Sequence, residues 1–458
     1  MTESQTLILG CAGKSLTSEE KTFYRNERPW GFILFARNVG EPEQIRDLVA
    51  EMRDSVGRED APVFIDQEGG PVQRLRPPLA PNYPAAGALG ALYRHDREAG
   101  LRAAWLLSRL HAFDLRRYGI SADCLPVLDV PVQGASDVIG QRAYGSEPQV
   151  VAAMGRAAAQ GLMDGGVLPV MKHIPGHGRA AADTHFELPT VTASLKELRD
   201  HDFAPFRALN DLPIAMTAHV VYSAVDPRDP ATTSRKVVEE IIRGEIGFDG
   251  LLVSDDTSMK ALSGDFPTKA AAILAAGVDL VLHCNGVMEE MAGVASRARP
   301  LEGKALERAE RALACIEAGV TGFVDDLIPR RRAGSRRAMT APWGHYETTD
   351  GAVSVLAIMP SHWDALSQWI YETTGNEAVI DPALKGGALN RSGDASLVVN
   401  MFTEEFTRQF TRQELFEEGQ RRGIPITPVN DPASVADDPQ LVERDFWTTI
   451  EVDGETVR

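Results

Sequence analysis

Cysteine is scarce in this sequence, with four among 458 residues. Cys11, Cys124, Cys284 and Cys315 are widely spaced, so neither a disulfide framework nor a paired zinc site is indicated. Three of the four lie in or beside apolar runs, which is typical of buried free thiols. The cysteines therefore favour a protein of a reducing compartment.

Positive charge and long apolar runs are also in short supply. Asp and Glu number 65 against 47 Lys and Arg, which gives a formal net charge of -18. That balance argues against a nucleic acid or an anionic membrane as the main partner. No apolar run is long enough to span a membrane, and the N-terminus lacks the basic and apolar regions of a signal peptide. We therefore expect a cytoplasmic protein that binds neither nucleic acid nor membranes.

Short apolar runs alternate with stretches of helical periodicity in the first two thirds of the chain. The predicted strands are residues 6–10, 31–35, 61–66, 122–129, 167–171, 213–217, 250–255 and 279–283. The predicted helices include residues 43–55, 97–118, 148–164, 195–210, 234–246, 267–277 and 301–318. Eight such units predict a (β/α)8 TIM barrel over residues 1–328, with a doubly wound open sheet as the competing fold.

Polar side chains follow most of the predicted strands. They are Asp66, Asp129, Lys172, His173, His219, Asp255, Asp256 and His283. In a (β/α)8 barrel these positions lie at the carboxyl ends of the strands, where active sites form. Neighbouring side chains of a strand point to opposite faces, so we expect only one of Asp255 and Asp256 to enter the cavity, and we choose Asp255.

The segment after the fifth strand concentrates reactive groups in a glycine-rich loop. Lys172 and His173 end the apolar run, and Asp183 and His185 follow within the next twelve residues. A carboxylate such as Asp255 can attack an anomeric carbon, while an imidazole oriented by a carboxylate can protonate the leaving oxygen and then deprotonate water. These groups favour glycoside hydrolysis with Asp255, His185 and Asp183 as catalytic residues. The alternative is a loop of ordinary polar surface residues.

Four side chains are suited to binding a sugar, and three of them also have a structural interpretation. Asp66 can accept hydrogen bonds from vicinal hydroxyls or cap the turn that follows it. Arg74 can donate two hydrogen bonds to one acceptor. Arg142 can do the same or form a surface salt bridge. Lys172 can bind substrate or pair with a barrel carboxylate.

A metal-dependent hydrolase is the competing chemistry. His173, His177, Asp183 and His185 are all possible zinc ligands. However, Lys172 would place a cation beside the metal, and no His-x-His pair follows the first strand. We therefore expect no metal at this site.

At these residues the chain resembles the family 3 glycoside hydrolases, specifically the short single-barrel β-N-acetylglucosaminidases of bacterial cell-wall recycling. The matching motifs, in the family's order across about residues 6–324, are residues 66–70, Arg74, Arg142, and residues 172–178, 183–185 and 254–256. Pro71 and Ile174 depart from it, standing where the family has a basic and an aromatic residue.

The resemblance implies a retaining mechanism without a cofactor. Asp255 would be the nucleophile and His185 the acid/base, oriented by Asp183. The residues implied to bind N-acetylglucosamine are Asp66, Arg74, Arg142, Lys172 and His173. The implied substrates are muropeptide fragments that carry non-reducing N-acetylglucosamine on anhydro-N-acetylmuramic acid, and a β-glucosidase of the same family is the near alternative.

The composition changes after the barrel. Residues 329–342 are basic and predict a linker, and residues 343–458 predict a smaller α+β module with strands at 351–358 and 424–430 and helices at 361–373 and 404–422. Residues 415–430 and 438–446 are similar to the C-terminal part of the family III CoA-transferases. The catalytic aspartate of that family lies in a half that this chain lacks, so we expect no CoA transfer. The module is a candidate for contacts in a homo-oligomer.

Overall fold

The chain divides into two compact units, Met1–Phe323 and Val324–Arg458. The computed structural model describes residues 4–180, 188–316, 342–357, 359–385, 394–429, 450–452 and 455–457. The predicted linker, residues 329–342, lies outside these residues apart from Pro342. Within the described part of the chain, no helix has both the length and the apolar character needed to cross a membrane.

Eight strands of the first unit form one parallel sheet. We number them β1 (Gln5–Leu9), β2 (Pro29–Leu34), β3 (Val63–Ile65), β4 (Ala122–Asp123), β5 (Leu168–Ile174), β6 (Ile214–Thr217), β7 (Leu251–Val253) and β8 (Val281–His283). Each pairs in parallel with the next along the chain up to β7, and β8 pairs with β1. Every residue in these strands is buried except the partly exposed Gln5, so the runs are continuously apolar rather than alternating.

Contacts between the ends of β7 and β8 close the ring. A parallel bridge joins Val253 to Leu280, and the backbone N–H of Ser254 donates to the carbonyl oxygen of Leu280 at 3.0 Å. Each strand therefore has two neighbours. The predicted TIM barrel is confirmed, because a doubly wound sheet would leave two open edges.

The two largest errors in the predicted strand ends both concern polar residues of the site. The fourth strand ends at Asp123 rather than residue 129, since Pro126 has no N–H to continue the ladder. The fifth strand runs on to Ile174. Lys172 and His173 therefore lie inside β5, held by its pairing with β6, and do not begin the loop.

Helices separate the strands of the barrel. Their bounds are Ser18–Glu27, Pro42–Val56, Ala86–His95, Arg97–Arg116, Pro148–Asp164, Leu195–Glu197, Leu198–Asp202, Ala204–Ala208, Val237–Glu245, Phe266–Ala276, Met288–Ala295 and residues 303–316. The single helix predicted over residues 195–210 is instead three pieces with a π-helical middle, and Pro205 opens the last of them. A proline interrupts the helical hydrogen bonds because it lacks an N–H.

The helix at residues 303–316 closes the amino-terminal end of the barrel. Its buried Ala309 and Ala312 belong to the same hydrophobic cluster as the side chains inside the barrel. Arg308 forms ion pairs with Asp249 at 2.7 Å and Asp279 at 3.1 Å, two carboxylates that precede β7 and β8. In the part of the chain that the structure describes, this helix therefore fills the barrel end opposite the carboxyl ends of the strands.

The second unit is a small α+β fold. Its strands Trp343–Thr348, Gly351–Leu356 and Ile426–Pro428 form an antiparallel sheet. Helices Pro360–Thr374, Asp394–Thr407 and Arg412–Arg422 contribute to a separate core around Trp363 and Phe406, and a short hairpin joins Ile450–Val452 to Glu455–Val457. The helix predicted over residues 404–422 is two helices, because Thr411 caps a new start by accepting the N–H of Glu414 at 3.3 Å.

Candidate active site

A cavity of about 150 Å³ opens among the carboxyl ends of the barrel strands. Its lining comes from the residues that end or follow β2, β3, β4, β5, β6, β7 and β8. The charged and imidazole groups among them are Asp66, Glu68, Arg74, Arg142, Lys172, His173, His177, Asp255 and Asp256. This gathers six of the eight predicted site residues in one cavity, while Asp183 and His185 lie outside the described residues.

Asp66 is held between two cations at the end of β3. Its Oδ1 accepts from Lys172 Nζ at 2.9 Å and its Oδ2 accepts from Arg74 at 2.8 Å. Burial alone would raise the pKa of Asp66, but the charges of Lys172 and Arg74 hold it well below its usual range. Asp66 is therefore an anion with lone pairs available to donors in the cavity.

Glu68 is a site residue that the sequence reasoning missed. It receives both Nε and a terminal nitrogen of Arg142 at 2.8 Å, a bidentate pair. Its Oε1 also lies 2.6 Å from Lys172 Nζ, and both of these side chains are 3% exposed. The buried cations Lys172 and Arg142 require more than one carboxylate as counterion. The position of Glu68, two residues after Asp66, could have indicated from the sequence that it belongs to the site.

A tight hairpin delivers Asp66, Glu68 and Arg74 to the same face. Strand Gln67–Gly69 pairs antiparallel with Val72–Gln73. The side chain of Gln67 accepts the backbone N–H groups of Arg74 at 3.1 Å and of the next residue at 3.0 Å. Gly70, at the turn, has φ +59, and a Cβ there would lie 2.5 Å from the Cβ of Ala85. The glycine lets the hairpin pack closely enough to aim its charges inward.

Asp129 organises the end of β5, a role that the sequence reasoning did not assign. Its Oδ1 accepts the backbone N–H groups of His173 at 3.1 Å and His177 at 2.7 Å, and its Oδ2 lies 2.7 Å from His173 Nδ1. Burial opposes ionisation of Asp129, yet the two imidazoles and these hydrogen bonds lower its pKa overall. With Nδ1 engaged, the Nε2 edge of His173 is left for the cavity.

His177 is a buried imidazole on the wall of the cavity. Burial, followed by the neighbouring His173, lowers its pKa to about 4. It is therefore neutral at physiological pH. Burial likewise lowers the pKa of His219, which lies in the turn after β6. Its Nε2 donates to the carbonyl oxygen of Asp256 at 3.1 Å, and its Nδ1 lies 2.8 Å from the hydroxyl of Thr232.

Asp255 and Asp256 both contribute to the cavity lining, so the expectation that only one would enter was wrong. The alternation of a strand does not extend to them, because β7 ends at Val253. Asp256 accepts the backbone N–H groups of Ser258 at 3.0 Å and Cys284 at 3.1 Å, which ties it to the backbone. Asp255 accepts the N–H of Asp256 at 2.8 Å.

The charge state of Asp255 follows from its neighbours. Burial on its own would raise its pKa, whereas the imidazoles of His219 and His173 lower it overall. A carboxylate that stays ionised, partly buried and positioned on a strand end has the properties of a nucleophile or of an electrostatic stabiliser.

The possible metal ligands of the described residues are not arranged around a common point. Among these residues, no group of three or more His, Cys, Asp or Glu side chains is placed to hold a metal ion. His173 and His177, two of the four possible ligands, have ring centroids 5.6 Å apart. The Nδ1 of His173 is already hydrogen-bonded to Asp129.

The sequence matches the glycosyl hydrolase family 3 N-terminal domain over residues 12–314. The chain belongs to glycosyl hydrolase family 3. A β-hexosaminidase from Alkalilimnicola ehrlichii is 41% identical over 283 residues, which are 61% of this chain and 80% of the relative. A β-hexosaminidase from Pseudomonas aeruginosa is 39% identical over 61% of this chain and 82% of its own length.

Solved structures give the same family. NagZ from Neisseria gonorrhoeae, in complex with N-trifluoroacetyl-D-glucosamine, has a TM-score of 0.59 and 32% identity over 69% of this chain and 98% of its own. A family 3 β-N-acetylglucosaminidase from Paenibacillus sp. has a TM-score of 0.61 and 32% identity over 70% of this chain and 62% of its own. The comparisons confirm the predicted family and the predicted enzyme class, a glycoside hydrolase of the β-N-acetylhexosaminidase type.

The C-terminal resemblance is also confirmed. Residues 245–458 match CoA-transferase family III. This match overlaps the family 3 match over residues 245–314, where the structure has β7, β8 and helices of the barrel. The shared stretch therefore has the fold of the glycoside hydrolase, and the resemblance to a CoA-transferase concerns the second unit.

Proposed function

We propose that the protein is a retaining exo-β-N-acetylglucosaminidase that releases terminal N-acetylglucosamine from peptidoglycan fragments. The observation that carries the proposal is the placement of an ionised Asp255 in the same cavity as Asp66, Arg74, Lys172 and His173. The names of the relatives support N-acetylglucosamine as the sugar that is released. The closed floor of the barrel supports cleavage at the end of a sugar chain rather than within it.

Asp255 is the proposed nucleophile. Its carboxylate bonds to C1 of the sugar while the C1–O bond to the leaving group breaks, which forms a covalent glycosyl-Asp255 intermediate. Its pKa lies below the ordinary aspartate value, so it is anionic at neutral pH. Asp256, whose oxygens accept two backbone N–H groups, is the positioning residue beside it.

The charged cluster across the cavity holds the sugar. Asp66 accepts hydrogen bonds from hydroxyl groups, and Nε2 of His173 can also accept them, because its Nδ1–H donates to Asp129. Arg74 and Lys172 offer donors to the remaining oxygens. Arg142 reaches the cavity as well, but its fork is occupied by Glu68. We assign Arg142 mainly to positioning Glu68 and, through it, Lys172.

Proton transfer is assigned to His185, oriented by Asp183. Both residues lie outside the described part of the chain, so their assignment rests on the family resemblance. His185 protonates the departing oxygen in the first step. It then takes a proton from the water that attacks C1 and frees Asp255 in the second step.

The decisive experiment replaces Asp255 by Ala and follows release of 4-nitrophenol from its N-acetylglucosaminide. We expect kcat to fall roughly 10³-fold or more, and added azide to restore turnover with an α-glycosyl azide as product. Asp249→Ala, which alters an exposed carboxylate at the opposite end of the barrel, is the control and keeps wild-type kcat. Full activity in Asp255→Ala would remove this residue from the mechanism.

The acid/base and the natural substrate have separate tests. His185→Ala should hydrolyse a 2,4-dinitrophenyl glycoside, whose leaving group needs no proton, far better than a disaccharide. Incubation with purified peptidoglycan fragments should release N-acetylglucosamine as the single monosaccharide. Hydrolysis of chitobiose without any release from these fragments would contradict the proposed substrate and leave the reaction intact.

A further inference from the structure

The turn that follows β7 carries Asp255, and neighbouring elements fix its backbone. Residues 254–258 belong to neither a helix nor a strand, so their peptide groups need partners elsewhere. Ser254 donates its backbone N–H to the carbonyl oxygen of Leu280 at 3.0 Å, and its hydroxyl accepts the N–H of Leu282 at 2.9 Å. The strand β8 and the residue before it therefore hold the start of the turn.

Thr257 lies two residues beyond the proposed nucleophile and is fully buried. Its N–H donates to the carbonyl oxygen of Leu282 at 3.0 Å. Its hydroxyl lies 2.9 Å from Nδ1 of His283, and its carbonyl oxygen accepts Nζ of Lys269 at 2.8 Å. The N–H, the hydroxyl and the carbonyl of this one residue are thus bonded to β8 and to the next helix of the barrel.

Lys269 is a buried cation that the proposed reaction does not use. Its residue is 8% exposed, and Nζ lies 5.0 Å from the centre of the Phe266 ring. Burial lowers the pKa of Lys269, while the carboxylates of Asp256 and Glu290 act in the opposite direction. An ammonium group removed from water needs strong hydrogen bonds in exchange. Here such a bond goes to a backbone carbonyl in the turn of the nucleophile, so the turn and the buried charge hold each other in place.

His283 is a second buried group behind this turn, at the end of β8. Its ring packs edge-on against Phe266, with centroids 5.2 Å apart. Its Nε2 lies 3.4 Å from Oε2 of Glu290, an oxygen that also accepts the side-chain amide of Asn285 at 3.0 Å. With the ring held in this way, Nδ1 has a fixed position from which to bond the hydroxyl of Thr257.

Neither Lys269 nor His283 belongs to the described residues that line the sugar cavity. Their bonds to the turn end on Thr257, two residues from Asp255. In a displacement at C1 the attacking oxygen must be aligned with the reacting carbon, and a misplacement of about 1 Å can lower the rate about 100-fold. The position of the turn therefore bears on the chemical step rather than on sugar binding.

We propose that Lys269 and His283 are positioning residues that hold Thr257, and through it the carboxylate of Asp255, in line with C1 of the sugar. The inference rests on the proposed function, because it takes Asp255 as the nucleophile. Since neither residue is assigned a contact with the sugar, loss of these bonds impairs the chemical step and leaves sugar binding intact.

The first test removes the ammonium group. Lys269→Met keeps the length and the apolar stem of the side chain, and should lower kcat/KM for 4-nitrophenyl N-acetylglucosaminide about 10- to 100-fold. The Kd of N-acetylglucosamine, measured by calorimetry, should keep its wild-type value. The same titration counts binding sites per chain, and rates are expressed per site so that a misfolded fraction does not enter.

Lys236→Met is the matched control for this variant. Nζ of Lys236 also donates to a backbone carbonyl in a loop of the barrel, that of Val225 at 2.6 Å, but this loop follows β6. Removal of its ammonium group should leave both kcat/KM and Kd unchanged.

A second pair of variants separates positioning from packing and tests the bond to His283 without altering the buried ring. Thr257→Val keeps the shape of the side chain and removes the hydroxyl that faces Nδ1, whereas Thr257→Ser keeps the hydroxyl and removes a methyl group. If the hydrogen bond positions the turn, Thr257→Val should lower kcat/KM about tenfold and Thr257→Ser should remain near the wild type. If the side chain merely fills space, Thr257→Ser should be the more damaging change.

The outcomes separate this inference from the function on which it rests. Full turnover in Asp255→Ala would refute the proposed nucleophile, and the positioning role with it. If Asp255→Ala is inactive while Lys269→Met and Thr257→Val keep wild-type kcat/KM, the function stands and the positioning role is refuted.

Two further results would also overturn the positioning role. One is a weakened Kd that accounts for the whole loss of kcat/KM, and the other is an equal loss in Lys236→Met. A lower kcat/KM at constant Kd in Lys269→Met, together with a larger loss in Thr257→Val than in Thr257→Ser, supports it.

Discussion

The Nζ of Lys172 lies 2.6 Å from Oε1 of Glu68, and each of these side chains is 3% exposed. The two residues come from different strand ends and are joined to Asp66 and Arg142 in one buried cluster. Burial lowers the pKa of Lys172, yet the two carboxylates raise it overall. The pairing keeps a cation inside the cavity that desolvation would otherwise neutralise.

Replacing Glu68 by Gln should cost both stability and activity. Lys172 and Arg142 would lose their shared counterion, and an uncompensated buried charge costs about 3–5 kcal/mol. Urea unfolding at pH 7 measures the first effect, and kcat/KM for an N-acetylglucosaminide measures the second. Glu43→Gln removes the same charge from an exposed i,i+3 pair with Arg46 and should change the unfolding free energy by less than about 1 kcal/mol. Equal effects of the two variants would contradict the importance of this cluster.

The stabilisation by Glu68 should depend on pH with a defined sign. The pKa of Glu68 in the folded protein is below its ordinary value of 4.5, because the charges of Lys172 and Arg142 outweigh the effect of burial. Its contribution is therefore complete above about pH 4.5 and is lost as the pH falls through the folded pKa. Unfolding free energies of the wild type and Glu68→Gln should differ by a constant amount at higher pH and converge on acidification.

Asp129→Asn should impair catalysis by turning His173. The amide nitrogen of the new side chain would face Nδ1 where a carboxylate oxygen now lies 2.7 Å away. Loss of one charged hydrogen bond, about 1.5–3 kcal/mol, predicts a fall in kcat/KM of about 10- to 100-fold and a shifted pH profile. Asp226→Asn, which changes a turn carboxylate bonded to Ser234, is the control and should leave the pH profile in place. An unshifted profile in Asp129→Asn would argue for a purely structural role.

His177 should make the folded state sensitive to mild acid. Its folded pKa is about 4 against an ordinary 6.5, with burial as the main cause. As the pH falls from 6.5 to 4 the unfolded chain binds a proton that the folded chain refuses, so stability declines by about 3 kcal/mol across this window. His177→Gln should flatten this part of the curve of unfolding free energy against pH. A variant with the wild-type slope would show that another group titrates there.

Gly178 should not tolerate a side chain. A Cβ at this position would lie 2.1 Å from the carbonyl oxygen of Val130, a backbone atom that cannot move alone. Gly178→Ala should therefore displace the segment after β5, with a cost of roughly 1–3 kcal/mol and reduced activity. At Gly13 the nearest atom to a new Cβ is 4.0 Å away. Gly13→Ala should therefore keep wild-type stability and activity. Thermal melting and a glycosidase assay of the two variants measure these effects.

Local pattern was sufficient to predict the barrel and most of the cavity. The apolar runs are continuous because barrel strands are buried on both faces, and all eight predicted runs became strands. Parallel strands place their carboxyl ends together. Asp66, Lys172 and Asp255 were therefore expected in one cavity although nearly 190 residues separate the first from the last.

The sequence by itself determined the fold class and the edge of the sheet that carries the chemistry, since both follow from hydrophobic periodicity and strand direction. The tertiary structure alone decided which charges are partners. Glu68 meets Arg142 across 74 positions and Asp129 meets His173 across 44, and the turn after β7 distinguishes Asp255 from Asp256. Such pairings depend on closure of the barrel and on backbone directions beyond the strand ends, which residue spacing along the chain does not specify.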